Sequence, residues 1–331
     1  MTSGAGALKL WPSASPGHLG QTGQGPFMST TAKALLALSL TMLIWAVVPI
    51  ATRLLVTVLD PGHTLVIRYV ISTTLFAVLL TVLRGWHIER GDWPRFLLAA
   101  ATGVFGYNVA NIYGYATTSA SLGSMIIGIE PAVIAVLASL VLGEPLRWPV
   151  IAGCALASLG TLVLLAGEDL LGWLGFAVAP VAAAVPPATD IKGPLLVLLA
   201  AMSWSVFVVV VKPLLVRYGT AKASALYGLV GAPMIFAALL RPATVDTAIA
   251  LSAAQWSLIG FLAVLGTFVS VFLWNFGVRH VSAASAGAFI YSLPVLSVSL
   301  AMLLLGETVT PIMVAGGLLI LAGVGVAQLR G

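Results

Sequence analysis

Charge is the scarcest ingredient of this chain. Lys, Arg, Asp and Glu make up 8% of its 331 residues, against roughly 25% in a soluble globular domain, so the chain cannot cover a water-facing surface. Cysteine is nearly absent: Cys154 alone excludes an intrachain disulfide and argues against a thiolate metal site. His18, His63, His87 and His280 are scattered, and no His/carboxylate cluster has metal-ligand spacing. The chain has no Gly-x-x-x-x-Gly-Lys-Ser/Thr phosphate loop, which argues against direct drive by ATP. It has no paired-Asp motif to hold a metal and a diphosphate, and no filter-like repeat of a channel. Neither an enzyme nor a cofactor is expected.

What the chain has in excess is apolar surface. It is 60% hydrophobic, with a mean hydropathy of +1.10. Its apolar runs approach the ~20 residues a helix needs to cross a hydrocarbon core, and they lack the short alternating pattern of a transmembrane β-barrel. The expected fold class is an all-α integral membrane protein with ten transmembrane helices, at 34–58, 63–83, 95–116, 122–143, 148–166, 193–212, 223–240, 256–277, 283–305 and 311–329. Residues 1–27 are rich in Gly, Pro, Ser and Gln and have no charged start before a compact apolar run. They read as a disordered tail, extending to about residue 32, rather than a secretory signal peptide. Trp86, Trp93, Trp148 and Trp256 fall at span ends, where amphipathic rings anchor at the membrane interface.

The segment 167–192 is apolar enough to be mistaken for a further span, but Pro180, Pro186 and Pro187 interrupt it and Glu168, Asp169 and Asp190 flank it. Ten spans and a cytoplasmic N-terminus put 11 Lys and Arg on the cytoplasmic side and 4 (Arg53, Arg68, Lys192 and Arg241) outside. An additional crossing would invert the second half and level the count at 8 to 7. The positive-inside rule favours ten spans, both termini cytoplasmic, and 168–192 as an external linker. The pI near 9.6 is then a topology signal from basic loops, not a nucleic-acid footprint.

The chain repeats itself. At an offset of 159, Trp45 falls on Trp204 and Arg53 on Lys212. At 163, Gly103 meets Gly266, Gly114 meets Gly277, Pro131 meets Pro294, Gly143-Glu144 meets Gly306-Glu307, and Gly160 meets Gly323. An ordered series with so small a drift is not a composition artefact. The unit, 33–167 and again 193–331, holds five spans. That odd number makes tandem copies enter the bilayer from opposite sides, giving two inverted five-helix repeats around a central cavity.

These motifs resemble the drug/metabolite transporter superfamily in its ten-span form with two EamA-type domains. The likeness rests on Ile44-Trp45-Ala46 with Arg53, on Asp60-Pro61 leading to Arg68, and on a helix with a central proline in each half. Those helices end Leu142-Gly143-Glu144 and Leu305-Gly306-Glu307, each followed by a Gly-rich span. Within the superfamily the chain looks most similar to aromatic amino acid exporters. The resemblance implies a small-molecule substrate and export, a direction that no residue encodes. The chain departs from internal symmetry at two points: Leu293 stands opposite Glu130, and Tyr227 opposite Arg68.

Glu130, in Gly128-Ile129-Glu130-Pro131, is the charged residue nearest mid-membrane. It can carry a coupling proton, pair with a substrate ammonium, or serve as a protonated structural group. Trp45 and Trp204 can clamp an apolar, aromatic or cationic group, or simply pack against small neighbours. Tyr107 and Asn111 share a helix face, among Asn108, Tyr113 and Tyr115, and suit either a zwitterion or interhelical hydrogen bonding. Trp274, Asn275, Tyr291 and Ser292 offer similar chemistry from the second half. Pro131 and Pro294 are hinge candidates or packing bends. Arg68 reads as a snorkelling residue or, alternatively, as a carboxylate-binding or gating one. Glu144 and Glu307 are expected to cap the following helix or lock a closed gate.

The sequence thus points to an inner-membrane secondary transporter, expected to act as a monomer, exporting amino acids, aromatic or large apolar ones included, by alternating access. Uniport and proton antiport are both open, and export of quaternary cations or drug-like compounds is the nearest alternative. A phosphorylated-metabolite exchanger ranks lower, because the basic residues cluster at span ends. Protease-cleavable tags at the two termini should both be reachable only from the cytoplasm; an exterior C-terminus would overturn the ten-span topology.

Overall fold

The computed structural model describes residues 29–143, 148–173, 191–281, 283–290 and 292–327, and all regular structure among them is helical. Helix α1 (Thr30–Val56) starts where the Ser29 side chain accepts from the Ala32 amide. Helix α2 (Pro61–Val82) has Asp60 as its N-cap and Pro61 in its first turn, the two residue types best suited to a helix start. Helix α3 (Trp93–Ala99) passes through a π-helical turn, Ala100–Gly106, into α4 (Tyr107–Thr117). Helices α5 (Ala120–Ile127) and α6 (Glu130–Leu142) are one apolar span broken at Gly128-Ile129, and α7 follows (Trp148–Trp173).

The second half opens with α8 (Lys192–Tyr218), α9 (Thr220–Leu239) and the short α10 (Ala243–Ala250). Helix α11 (Ala253–Ala263) runs through a second π-helical turn, Val264–Val269, into α12 (Ser270–His280). Helices α13 (Ala283–Ile290), α14 (Ser292–Leu305) and α15 (Pro311–Ala327) complete the chain.

Seven helices among the described residues are long and apolar enough to cross a membrane, and Ile151–Gly160, Ser292–Leu305 and Pro311–Gly323 are shorter apolar helices. Leu43, Val78, Leu140 and Leu303 stand exposed on the outside of the bundle, as lipid-facing positions require. Trp86, Trp93, Trp148 and Trp256 are also exposed. Helix α7 continues to Trp173, past the expected end of the fifth span at 166. The tail at 1–28 and residues 174–190 of the expected linker lie outside the described residues.

Three local features recur at the repeat offset of 163. Ala101–Gly106 of the first π turn falls on Val264–Val269. Gly143 and Gly306 both end their helices in the left-handed region, with φ of 69° and 65°, a conformation that costs glycine little. Gly160 and Gly323 both mediate the close approach of α7 and α15. A Cβ at Gly160 would come within 2.7 Å of the Gly316 carbonyl oxygen, and one at Gly323 within 2.5 Å of that of Gly153. Without a hydrophobic drive between helices in lipid, such small-residue seams hold helices together by contact.

Polar ties draw both ends of the bundle together. At one end Arg53 donates from Nη1 to the carbonyls of Tyr115 (2.9 Å) and Ala116 (2.8 Å), and His63 bonds Thr247. At the other end the buried Asp92 accepts from the Tyr218 hydroxyl at 2.7 Å and from Arg217 at 3.1 Å, while Arg217 also pairs with Glu89. Lys212, the repeat counterpart of Arg53, reaches the Val281 carbonyl at 3.4 Å.

The glycine seam gives a direct test. Gly323→Ala should lower the melting temperature in detergent, by overpacking worth about 1–3 kcal/mol. Gly325→Ala, which meets nothing within 4 Å, should leave it unchanged or raise it; equal behaviour of the two would remove the seam from the account.

Candidate functional site

The break between α5 and α6 has a local cause. Pro131 offers no amide hydrogen to the carbonyl four residues back, and the chain compensates with tight bonds, Gly128 N to Met125 O at 3.0 Å and Ile129 N to Ile126 O at 3.1 Å. Glu130 is therefore the first residue of α6, where its side chain is 2% exposed. Its Oε1 has no hydrogen-bond partner, and no ion pair among the described residues reaches it. On the backbone, its carbonyl accepts from Ser205 Oγ at 3.4 Å.

Glu130 opens onto an internal cavity that Trp45, Arg68, Tyr107, Asn111 and Trp204 also line. These residues come from α1, α2, α4, α6 and α8, so both sequence halves build the wall. The free space is narrow, about 70 Å³ for the centre of a water-sized sphere, because aromatic rings fill much of it. Trp204 is the hub. Its ring lies 5.3 Å from Trp45 in an edge-on arrangement, 4.9 Å from Tyr107 and 4.8 Å from Phe207. The indole nitrogens of Trp204 and Trp274 have no hydrogen-bond partner among the described residues. Trp274 is fully buried against Trp45 at 5.3 Å.

Arg68 departs from the snorkelling expectation. It is 8% exposed, and its Nε donates to Thr267 Oγ1 at 2.8 Å, which in turn donates to the Leu262 carbonyl at 2.9 Å. The second π turn is what presents Thr267 here, since the hydroxyl reaches a carbonyl five residues back. Asn108 plays the matching part in the first π turn, donating to the carbonyls of Gly103 (3.2 Å) and Val104 (2.9 Å). Such turns free backbone carbonyls and occur often at functional sites. Gly103, Val104, Gly266 and Thr267 all face the cavity.

The other candidates separate. Asn275 is fully buried and donates to Ser224 (2.8 Å) and Tyr227 (2.7 Å), an interhelical role. Ser292 is exposed and donates to the Phe289 carbonyl near the end of the preceding helix α13. Tyr291 and Glu144 lie outside the described residues. Pro131 and Pro294 are buried at the seam between halves: a Cβ at Gly287 would sit 3.6 Å from Pro131, and one at Gly128 would sit 3.5 Å from Pro294.

Glu307 does not cap the helix that follows it; Thr310 does, accepting from the Met313 amide. Instead Glu307 crosses to the other half. Its two carboxylate oxygens accept from the amides of Ala120 and Ser121, both at 2.9 Å, at the start of α5. The first-turn amides of a helix have no partner within it and carry partial positive charge, so a carboxylate suits them.

A helical membrane bundle with a buried, mixed polar and aromatic cavity is compatible with a solute carrier. The EamA-like transporter family matches residues 32–166 and again 191–328, and the chain belongs to that family. A protein of Streptantibioticus cattleyicolor named "Probable terminal-alkyne amino-acid exporter" is 29% identical over 292 residues, covering 88% of this chain and 92% of its own. An "Uncharacterized transporter" of Archaeoglobus fulgidus is 26% identical over 298 residues, covering 88% and 97%. A solved crystal structure, 20% identical, matches with a TM-score of 0.63 over 90% of this chain and 98% of its own, which bears on the fold alone. The family and the exporter-named relative point to a transporter rather than an enzyme.

The Glu307 tie should hold its end of the bundle shut. Ser124, 2% exposed in the cavity wall, replaced by Cys in a Cys154→Ser background, should react with a membrane-impermeant maleimide several-fold faster once Glu307→Ala is added. An unchanged rate would show that the carboxylate does not restrain this end.

Proposed function

We propose that this chain is a secondary transporter that exports amino acids, including aromatic or large apolar ones, across the inner membrane by alternating access. On this reading 33–167 and 193–331 are inverted five-helix repeats, joined by an external linker at 168–192, with ten spans and both termini cytoplasmic. One copy suffices, because both halves of a single chain contribute to the cavity wall. The observation that carries the reading is Glu130: a carboxylate buried at a helix break, lacking a partner for Oε1, beside Trp45, Trp204, Tyr107 and Asn111. An ionisable group in mid-membrane costs about 3 kcal/mol or more, and broken helices near the midplane are where secondary transporters bind solutes. The name of the Streptantibioticus relative, an amino-acid exporter, supports the substrate class.

Alternating access follows from the two sets of end ties. The Arg53 end is the outer one and the Asp92 end the inner one. Rocking of the halves about Pro131 and Pro294 would break the Glu307 tie at one end or the Asp92 cluster at the other. A carboxylate that accepts either an ammonium or a proton would couple the two by competition, so the Glu130 reading includes proton antiport. The same carboxylate and indole rings also suit a quaternary cation, which is the second reading.

In proteoliposomes screened across twenty amino acids with and without a pH gradient, the proposal expects uptake of large apolar zwitterions above that of tetraethylammonium. Preference for the quaternary amine would select the second reading, and no uptake of either class would refute both. Glu130→Gln should abolish the pH dependence of flux; a pH profile like that of the unaltered protein would remove Glu130 as the proton carrier.

A further inference from the structure

The cavity also holds an ionisable group of the opposite sign, the Arg68 guanidinium. Arg68 and Glu130 are both buried, both line the cavity, and no ion pair among the described residues joins either to any partner. Arg68 keeps its Nε on Thr267 and its guanidinium about 6.0 Å from the Tyr69 ring centroid, so it is anchored without being neutralised. Tyr107 lines the same cavity. A protein that buries one acid and one base normally pairs them, because each alone is costly to desolvate. Here they stand apart in one cavity.

We infer that Arg68 and Glu130 form a split receptor for a zwitterion, Arg68 taking the carboxylate and Glu130 the ammonium of an α-amino acid. This rests on the amino-acid reading above and deepens it. A guanidinium presents a planar fork of donors that matches a carboxylate in two-point fashion, and the unbonded Glu130 Oε1 is an acceptor waiting for an N–H. The ligand neutralises both charges at once, which neither a cation nor an anion can do. The side chain is directed at the rings of Trp45, Tyr107 and Trp204. Thr267 is the positioning residue that holds the guanidinium in place. The asymmetry of the repeat fits this assignment, because Tyr227 and Leu293 stand where a symmetric site would duplicate Arg68 and Glu130.

The test is a ligand-by-variant cycle, since the coupling of two groups is read cleanly only that way. Binding is measured as thermal stabilisation of the purified protein in detergent by L-phenylalanine, its methyl ester (no carboxylate) and 3-phenylpropionate (no ammonium). Both analogues should bind at least ten-fold more weakly than L-phenylalanine. Arg68→Gln should bring L-phenylalanine down to the level of the ester and leave the ester unchanged. Glu130→Gln should bring it down to the level of 3-phenylpropionate and leave that acid unchanged. An ester as tight as the parent, or equal losses for all three ligands, overturns the split receptor while leaving amino-acid export standing. Stabilisation by tetraethylammonium but by no zwitterion sinks the export reading as well. Should Arg68→Gln fail to fold, Thr267→Val replaces it: weaker L-phenylalanine with unchanged ester supports the assignment, and equal weakening of both counts against it.

Discussion

A carboxyl group surrounded by apolar helices needs either a proton or a positively charged neighbour, and Glu130 has no ion-pair partner among the described residues. That unmet requirement organises the rest of the molecule. The Gly128-Ile129 break places Glu130 at a helix start rather than inside a continuous helix. The aromatic cluster around Trp204 fills much of the cavity beside it, and an apolar lining of low dielectric sharpens charge interactions there. A buried carboxyl group with no ion-pair partner is poor design for a static bundle and good design for a group whose partner comes and goes.

The ties at the two ends give that exchange a mechanical frame. Glu307 binds the start of α5 from the opposite half of the chain, and Asp92 gathers Arg217 and Tyr218 from α8. Hydrogen bonds to a charged group contribute about 1.5–3 kcal/mol each. That is enough to hold an end shut and small enough for solute binding to repay. The glycine seam of α7 and α15 is the tighter contact, where backbone meets backbone. Motion is therefore expected at the breaks and the polar ties rather than along this seam.

Much of this was legible in the residues, for identifiable reasons. Composition announces a helical membrane protein. The 163-residue offset singles out Gly143 and Gly306, whose shared left-handed φ explains their recurrence. An acid in an apolar run marks Glu130. Arg68 was harder, because a basic residue near the outer end of the expected 63–83 span looks free to reach the interface. Its burial depends on Thr267, 199 residues away, and no local pattern carries that pairing. The π turns left only a faint trace in Gly103 and Gly266, since their widened backbone is secured by Asn108 and Thr267, residue types common in ordinary interhelical bonds. Glu307 was expected near a helix start, but the helix lies in the other half, a matter of tertiary packing.

The claim at the centre is that the Glu130 carboxyl changes its partner when a solute enters the cavity. Infrared difference spectroscopy on the reconstituted protein, with and without L-phenylalanine, reads that change directly. The account predicts a ligand-induced difference in carboxyl vibration that vanishes in Glu130→Gln. A carboxyl spectrum indifferent to every solute the protein carries would contradict it.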